Sequence, residues 1–388
     1  MKFTPGARFA STAVALTVTG ALLLSGCSSS KKSTSSSSSG GGAATTSAGG
    51  GATSATGAAT TGSCPSGTLK GEGSTAQTNA MTSWVNGFQK QCSGATVNYN
   101  PTGSGPGVAQ FIGKQVNFAG SDAALDPTAG EPAKAKTACG STALDLPMVV
   151  GPIAVAFKVK GISDGGITLT PKVTAQIFLG KITKWNDPAI TAINKGVKLP
   201  AENITVFFRS DQSGTTSNFE KYLAATDPTD FTATPSKSWA GKVGQGKAKS
   251  QGVQTAISST EGSIGYVEYA FALSGNLATA KIDNGGGAVA LSPATASAAA
   301  AAAKITGTGN DLTLKLDYAT KVAGAYPIVL VTYEIVCTKY ADPKIGTFVK
   351  DFLTYTSTTG QTGLANLGYA PIPDSIKTKL AASVASIT

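Results

Sequence analysis

Short apolar stretches rich in β-branched residues alternate with longer stretches whose apolar residues recur at helical spacing. The predicted strands lie at 96–100, 148–158, 204–209, 263–268 and 328–337. The predicted helices lie at 76–91, 107–113, 171–179, 187–194, 216–225, 253–260, 294–304 and 344–354. Strands and helices that alternate in this way predict an α/β fold with mostly parallel sheets.

The first 63 residues follow a different pattern. Lys2 and Arg8 precede an apolar stretch at 13–24, which is too short to cross a ~30 Å hydrocarbon core as a mature helix. Small residues then lead to Cys27, as in a bacterial lipobox, so we predict a signal peptide at 1–27 and a lipidated Cys27. An ordinary signal peptide cleaved nearby is the alternative. Residues 28–63 are almost entirely Ser, Gly, Ala and Thr, which predicts a disordered tether.

The 325 residues from 64 to 388 are enough for two domains of ordinary size. Apolar strands open at 147–152 and, much later in the chain, at 326–330. We interpret these as two places where the chain crosses between lobes, because paired crossings leave one lobe discontinuous. The prediction is a first lobe made of 64–148 plus 330–388 and a second lobe made of 149–329.

The chain contains no histidine, which excludes Ser-His-Asp and Cys-His catalysis and any histidine-ligated zinc. Setting residues 1–63 aside removes four basic residues and no acidic one, so the formal charge falls from +10 to +6. The remaining Lys and Arg residues form no dense run of the kind that binds nucleic acid. We therefore predict a small anionic ligand, with no metal, no cofactor and no nucleic acid.

Four cysteines remain if Cys27 is lipidated, and an even number in an exported protein favours two disulfides over free thiols. Three connectivities are possible. We favour Cys64–Cys92 with Cys139–Cys337, because Cys64 and Cys92 bracket one strand–helix unit. No Cys-x-x-Cys pair is present, which argues further against a metal site.

Four short segments combine glycine with hydroxyl side chains where a strand ends or a helix begins. They lie at 71–76, 102–107, 119–122 and 209–216. Glycine lets the backbone approach a ligand closely, and a helix N-terminus presents unpaired N–H groups. Taken alone, each segment could be an ordinary helix cap, but several converging ends would form an anion site.

The fourth segment is the most specific. Arg209 would supply a fork of N–H groups that matches a tetrahedral oxyanion, and Asp211 could hold that guanidinium in place. Ser213, Gly214 and Thr215 would add hydroxyl and amide donors at the start of a helix. The alternative is a surface turn with a local ion pair.

Asp122 is unexpected in an anion site, because a carboxylate repels an anion. It is useful if the ligand carries a proton, since an ionised carboxylate can accept a hydrogen bond from protonated phosphate but not from sulfate. The alternative for Asp122 alone is a helix N-cap.

In this order, the four segments resemble those of the phosphate-binding proteins of bacterial high-affinity phosphate ABC transporters, the Pst systems. Segments 181–187 and 262–269 extend the resemblance, and we interpret both as scaffold, with Trp185 as an anchor. The resemblance implies a type II periplasmic-binding-protein fold. Its two lobes contain two mixed or mostly parallel sheets flanked by helices, and two crossover segments join the lobes. The implied phosphate-binding residues are Thr75, Ala76, Ser104, Asp122, Arg209, Ser213, Gly214 and Thr215, with Asp211 positioning Arg209.

The resemblance further implies a monomeric receptor that captures inorganic phosphate and delivers it to an ABC permease without catalysis. The lipobox predicts attachment to the outer face of the cell membrane through Cys27. Ala76 stands where the family often has Phe, but the implied contribution there is a backbone N–H, which Ala retains.

Three alternatives stay open at this stage. The same fold could bind another oxyanion, such as sulfate or molybdate. A serine phosphatase or hydrolase could be built on Ser213 or Ser104, although the chain offers neither a histidine nor a Ser-x-x-Lys lysine at those serines. A surface adhesin would leave the segment at 209–216 unexplained.

Overall fold

The computed structural model describes residues 64–388. The predicted signal peptide, lipobox cysteine Cys27 and tether lie outside the described residues. The strands are β1 (Gly67–Gly73), β2 (Ala95–Pro101), β3 (Phe118–Ser121), β4 (Ala143–Lys158), β5 (Thr168–Leu169), β6 (Thr205–Arg209), β7 (Gln245–Lys247), β8 (Ser263–Glu268), β9 (Ala278–Thr279), β10 (Lys281–Asp283), β11 (Ala288–Val289), β12 (Lys304–Ile305), β13 (Leu314–Lys315) and β14 (Val329–Cys337).

The helices flank these strands, and two short 3₁₀ helices at Thr359–Gln361 and Leu364–Leu367 precede the last helix. The α-helices are α1 (Thr78–Gln91), α2 (Ser104–Ile112), α3 (Glu131–Cys139), α4 (Pro171–Phe178), α5 (Pro188–Ile193), α6 (Gly214–Thr226), α7 (Lys249–Ser259), α8 (Tyr269–Ser274), α9 (Pro293–Ala300), α10 (Pro343–Ser357) and α11 (Asp374–Ala385). No helix within residues 64–388 is long and apolar enough to span a membrane.

The main sheet has the strand order β2-β1-β3-β14-β4-β8-β6-β7, with β9 added beside β4. Its outer strands pair in parallel, as predicted from the alternation of strands and helices. Its centre is antiparallel, because β14 runs opposite to both β3 and β4, and β4 runs opposite to β8. The sheet is therefore mixed.

The two predicted crossover segments lie in the centre of this sheet. The first part of β4, up to Pro152, pairs with β14, and the rest, from Ile153 to Lys158, pairs with β8. The segments at 147–152 and 326–330 thus reach strands that pair with each other, and β4 and β14 join the two halves of the molecule into one continuous sheet. The two predicted sheets, one in each half, therefore share β4.

The apolar residues form two main cores on either side of these central strands. One core comes almost wholly from residues 153–330. The other comes mainly from residues 69–149 and 336–387. Each half of the molecule is therefore stabilised by burying its own apolar side chains.

Two disulfides fasten the half that is built from both ends of the chain. Cys64 pairs with Cys92, joining the start of β1 to the end of α1. Cys139 pairs with Cys337 across a sequence separation of 198 residues, joining the end of α3 to the end of β14. The favoured connectivity is confirmed.

Candidate functional site

All four glycine–hydroxyl segments meet at one buried place, where the loops after β1, β3 and β6 face the first turns of α2 and α6. Ser104 connects them, because its Oγ donates to Asp122 Oδ2 at 3.1 Å and accepts from the Gly214 amide at 3.1 Å. Thr75, Ala76, Arg209, Ser213 and Thr215 are also buried there. The structure therefore brings all eight residues of the predicted set together.

Two glycines allow the first-half segments to pack this tightly. Gly73 has a φ of 140°, and an added Cβ would lie 2.1 Å from the carbonyl oxygen of Gly120. At Gly107, a Cβ would lie 2.4 Å from the Cα of Gly73. Larger residues at either position would push the loop after β1 away from α2 and β3.

Arg209 is 2% exposed and is held from two sides. Its Nε donates to Asp211 Oδ1 at 2.8 Å and its Nη2 donates to Asp211 Oδ2. Its Nη1 donates to Ser250 Oγ at 3.1 Å. Because a guanidinium carries five N–H groups, Asp211 leaves the Nη1/Nη2 edge for an oxyanion. The positioning role expected for Asp211 agrees with this geometry.

Asp122 is 3% exposed and accepts three hydroxyl hydrogen bonds. The donors are Ser74 at 2.5 Å and Thr332 at 2.8 Å to Oδ1, and Ser104 to Oδ2. Burial raises the pKa of Asp122 to about 6; the Ser74 hydroxyl opposes this effect and the Glu268 carboxylate reinforces it. No helix begins at Asp122, so the N-cap alternative is wrong.

The first turn of α6 packs directly against Asp122. Ser213 is the N-cap, and its Oγ accepts the Thr216 amide at 3.3 Å, which leaves its own hydrogen able to donate. A Cβ on Gly214 would lie 2.5 Å from Asp122 Cβ, so only glycine fits this contact. The hydroxyl of Thr215 donates to Glu268 Oε1.

The loop after β1 is fixed by bonds to distant parts of the chain. The Ala76 amide donates to Ser74 Oγ at 3.0 Å, and its carbonyl accepts from the Tyr369 hydroxyl at 2.7 Å. Thr75 Oγ1 lies 2.7 Å from Ser250 Oγ. The loop therefore extends past the predicted start of its helix at 76, and α1 begins at Thr78.

Sequence reasoning missed several residues of the site. Ser250 was overlooked because α7 begins at Lys249, four residues before the predicted helix at 253–260. Glu268 lies in the segment that we interpreted as scaffold, and the structure places its carboxylate against Thr215. Thr332 and Glu334 interrupt the apolar residues of β14, and this interruption was an available signal. The expectation for Trp185 is confirmed, since it is fully buried and its Nε1 donates to the Gly262 carbonyl at 2.9 Å.

A groove of about 1100 Å³ adjoins Asp122 on one side. Asn218 and Lys221 of α6 line it, and Asn218 Nδ2 donates to the Asp122 carbonyl at 2.6 Å. Lys237 and Glu131 also line the groove and form an ion pair, with Lys237 Nζ 2.9 Å from Glu131 Oε1. This ion pair links the two halves of the molecule beside the site.

The site offers one guanidinium, several amide and hydroxyl donors, and two buried carboxylates. This set suits a small tetrahedral oxyanion that carries hydrogen. In the described part of the chain, no three His, Cys, Asp or Glu residues are grouped as a metal site requires. Ser104 and Ser213 form these hydrogen bonds with a carboxylate and with backbone groups rather than with a lysine base.

Comparison with known proteins gives consistent results. The family described as PBP superfamily domain matches residues 30–359. The phosphate-binding protein PstS 3 of Mycobacterium leprae is 47% identical over 324 residues, which cover 82% of this chain and 87% of that protein. PstS 3 of Mycobacterium tuberculosis is 46% identical over 324 residues, covering 82% of this chain and 86% of that protein.

Solved structures share the fold. The high-affinity periplasmic phosphate-binding protein PfluDING, bound with phosphate, aligns with a TM-score of 0.66 at 22% identity, covering 81% of this chain and 93% of that chain. A human phosphate-binding apolipoprotein aligns with a TM-score of 0.64 at 23% identity, with the same coverage. These likenesses confirm the predicted two-lobed α/β fold.

Proposed function

We propose a function that starts from one fact: this chain belongs to the family of PstS phosphate-binding proteins within the PBP superfamily. The resemblance seen in the sequence is thereby confirmed. On this basis the chain is an extracytoplasmic receptor that captures inorganic phosphate between two lobes and delivers it to an ABC permease for import.

The observation that carries this proposal is the meeting of Arg209 and Asp122 in one buried site. Arg209 supplies charge and a bidentate edge for an oxyanion, and Ser213, Gly214 and Ala76 are buried in the same site. Asp122 requires a ligand that carries a proton, because two facing acceptors repel each other. Phosphate meets both requirements near neutral pH, whereas sulfate and molybdate are fully ionised.

The proposed lobes are 64–148 with 330–388, and 149–329. Separate apolar cores and the central position of β4 and β14 support this division. Thr75, Ser104 and Asp122 then come from the first lobe, while Arg209 and the start of α6 come from the second. Because the donors are split between lobes, phosphate binds the closed form more tightly and shifts the population towards it.

Calorimetric titration of the ligand-free protein with phosphate, arsenate and sulfate tests the proposal. Phosphate and arsenate should bind and sulfate should not. Asp122→Asn should admit sulfate, because the amide can donate to an unprotonated oxygen. An absence of phosphate binding in folded protein would refute the proposal, and sulfate binding to the unmodified protein would favour the other-oxyanion alternative.

The proposal includes attachment to the membrane through Cys27 and no catalytic activity. Lipid labelling in cells should be lost in Cys27→Ala, and the protein should then appear in the medium. Phosphate-ester turnover that disappears in Ser213→Ala would instead support the hydrolase alternative.

A further inference from the structure

Glu268 is a second buried carboxylate in the anion site. It is the last residue of β8, it is 0% exposed, and its Oε1 accepts the hydroxyl hydrogen of Thr215. Its Oε2 has no hydrogen-bond partner among residues 64–388. The charged and titratable groups that face it are Arg209, Asp122 and Tyr369.

The Thr215 bond determines what that hydroxyl can offer a ligand. A hydroxyl group has one hydrogen, and an ionised carboxylate can only accept. When the Thr215 hydrogen is committed to Glu268, its oxygen faces a ligand as an acceptor. Ionised Asp122 is an acceptor as well, so the site has two acceptors from opposite lobes.

These two acceptors do not match dibasic phosphate, which carries a single hydrogen. One acceptor would face an unprotonated phosphate oxygen, which is repulsive. One additional proton, placed on that phosphate oxygen, removes the conflict.

We propose that Glu268, acting through Thr215, makes phosphate capture take up one proton from the solvent. The bound complex then holds two protons, one more than dibasic phosphate brings. This inference rests on the proposed function and adds the protonation of the bound ligand to it. The elevated pKa of Asp122, which Glu268 helps to raise, is consistent with a site that retains protons.

The test is calorimetric titration with phosphate at about pH 8.5, in two buffers of different ionisation enthalpy, where free phosphate is mostly dibasic. The difference in heat between buffers gives the number of protons exchanged. The unmodified protein should take up about one proton. Glu268→Gln should take up none, because the amide can donate to Thr215 and release the hydroxyl hydrogen to the ligand.

Thr215→Val should also abolish proton uptake, and adding Glu268→Gln to it should change the proton count no further. Glu220→Gln is the matched control: Glu220 is buried in the same lobe but accepts the amides of Ser236 and Ala240, so uptake should stay at about one. Glu334 also faces Asp122. With a pKa raised to about 8 it is a rival proton acceptor at the pH of the titration, so Glu334→Gln separates the two carboxylates, and uptake should persist in this variant.

Phosphate binding without proton uptake in the unmodified protein would overturn this inference and leave the proposed function intact. Uptake that persists in both Glu268→Gln and Thr215→Val would show that Glu268 is not responsible. If phosphate produced no binding heat in either buffer, the proposed function itself would fail. If Glu268→Gln did not fold, Thr215→Val would still decide the matter.

Discussion

Replacing Glu334 by glutamine should make the protein more stable, by an amount that grows with pH. Glu334 lies on β14 between Gly120 of β3 and Leu146 of β4, and it is 0% exposed. Neither of its carboxylate oxygens has a hydrogen-bond partner within the described residues. The polar groups nearest to it are Gln77, Tyr99 and Asp122.

Burial raises the pKa of Glu334 from 4.5 to about 8, and the Asp122 carboxylate adds to the effect, whereas Gln77 opposes it. Below pH 4.5 this group is protonated in both the folded and the unfolded chain. Between these values only the unfolded chain ionises, so each pH unit costs the folded state about 1.4 kcal/mol. The accumulated loss of stability is about 3 kcal/mol at pH 7 and levels off above the folded-state pKa.

Glutamine is neutral in both states and removes this pH dependence. Urea unfolding at several pH values between about 5 and 7 measures how the free energy of unfolding depends on pH. The protein must be free of phosphate, because a bound ligand adds its own stability. The free-energy difference between Glu334→Gln and the unmodified protein should increase with pH. The exposed Glu261, replaced in the same way, is the control for the effect of the substitution itself. A constant difference for Glu334→Gln would refute the reasoning.

Three further predictions concern phosphate affinity. Ser250→Ala should weaken phosphate binding about tenfold in calorimetry, because Arg209 loses a buried hydrogen bond worth about 1.5 kcal/mol. Ser263→Ala is the control: it removes a buried hydroxyl elsewhere and should leave the affinity unchanged. Tyr369→Phe should weaken binding about fivefold, since the Ala76 carbonyl loses its donor, and unaltered affinity would contradict the role given to Tyr369. Lys237→Met should speed phosphate release about twofold to fivefold in stopped-flow measurements at low salt, because it breaks the ion pair with Glu131 that links the two halves. The effect should be smaller at high salt. Lys377→Met breaks an ion pair remote from the site and should not change the release rate.

Local patterns predicted the elements of the second half well. The strand at 263–268 agrees with β8 in both bounds, and the strand at 204–209 differs from β6 by one residue, because these runs are apolar and flanked by turn residues. The strand β1 was missed, since its sequence, Gly-Thr-Leu-Lys-Gly-Glu-Gly, contains three glycines that mask the alternation. The antiparallel centre could not be predicted, because strand order depends on contacts between distant parts of the chain.

The residues of the site also divide into those that a local sequence pattern predicts and those that only distant contacts bring together. Arg209, Ser213, Gly214 and Thr215 were predictable because they lie close together in the sequence, between the end of β6 and the start of α6. Ser250, Glu268 and Thr332 reach the site only through the packing of α7, β8 and β14, so no local motif includes them. One of the three left a signal in the sequence: Thr332 is a polar residue among apolar ones, and a buried hydroxyl needs a hydrogen-bond partner.

The pairing of β4 with β14 has a consequence for the order of folding. Residues 149–329 form a continuous stretch of chain, so their core can assemble as soon as that stretch has been synthesised. The other half lacks its central strand until Cys337 has been made, because β14 lies between β3 and β4. Contacts so far apart in sequence form slowly. During synthesis, β3 and β4 therefore present unpaired edges from the time β4 is complete at Lys158 until β14 is made at Val329–Cys337, and they need protection from association over this interval.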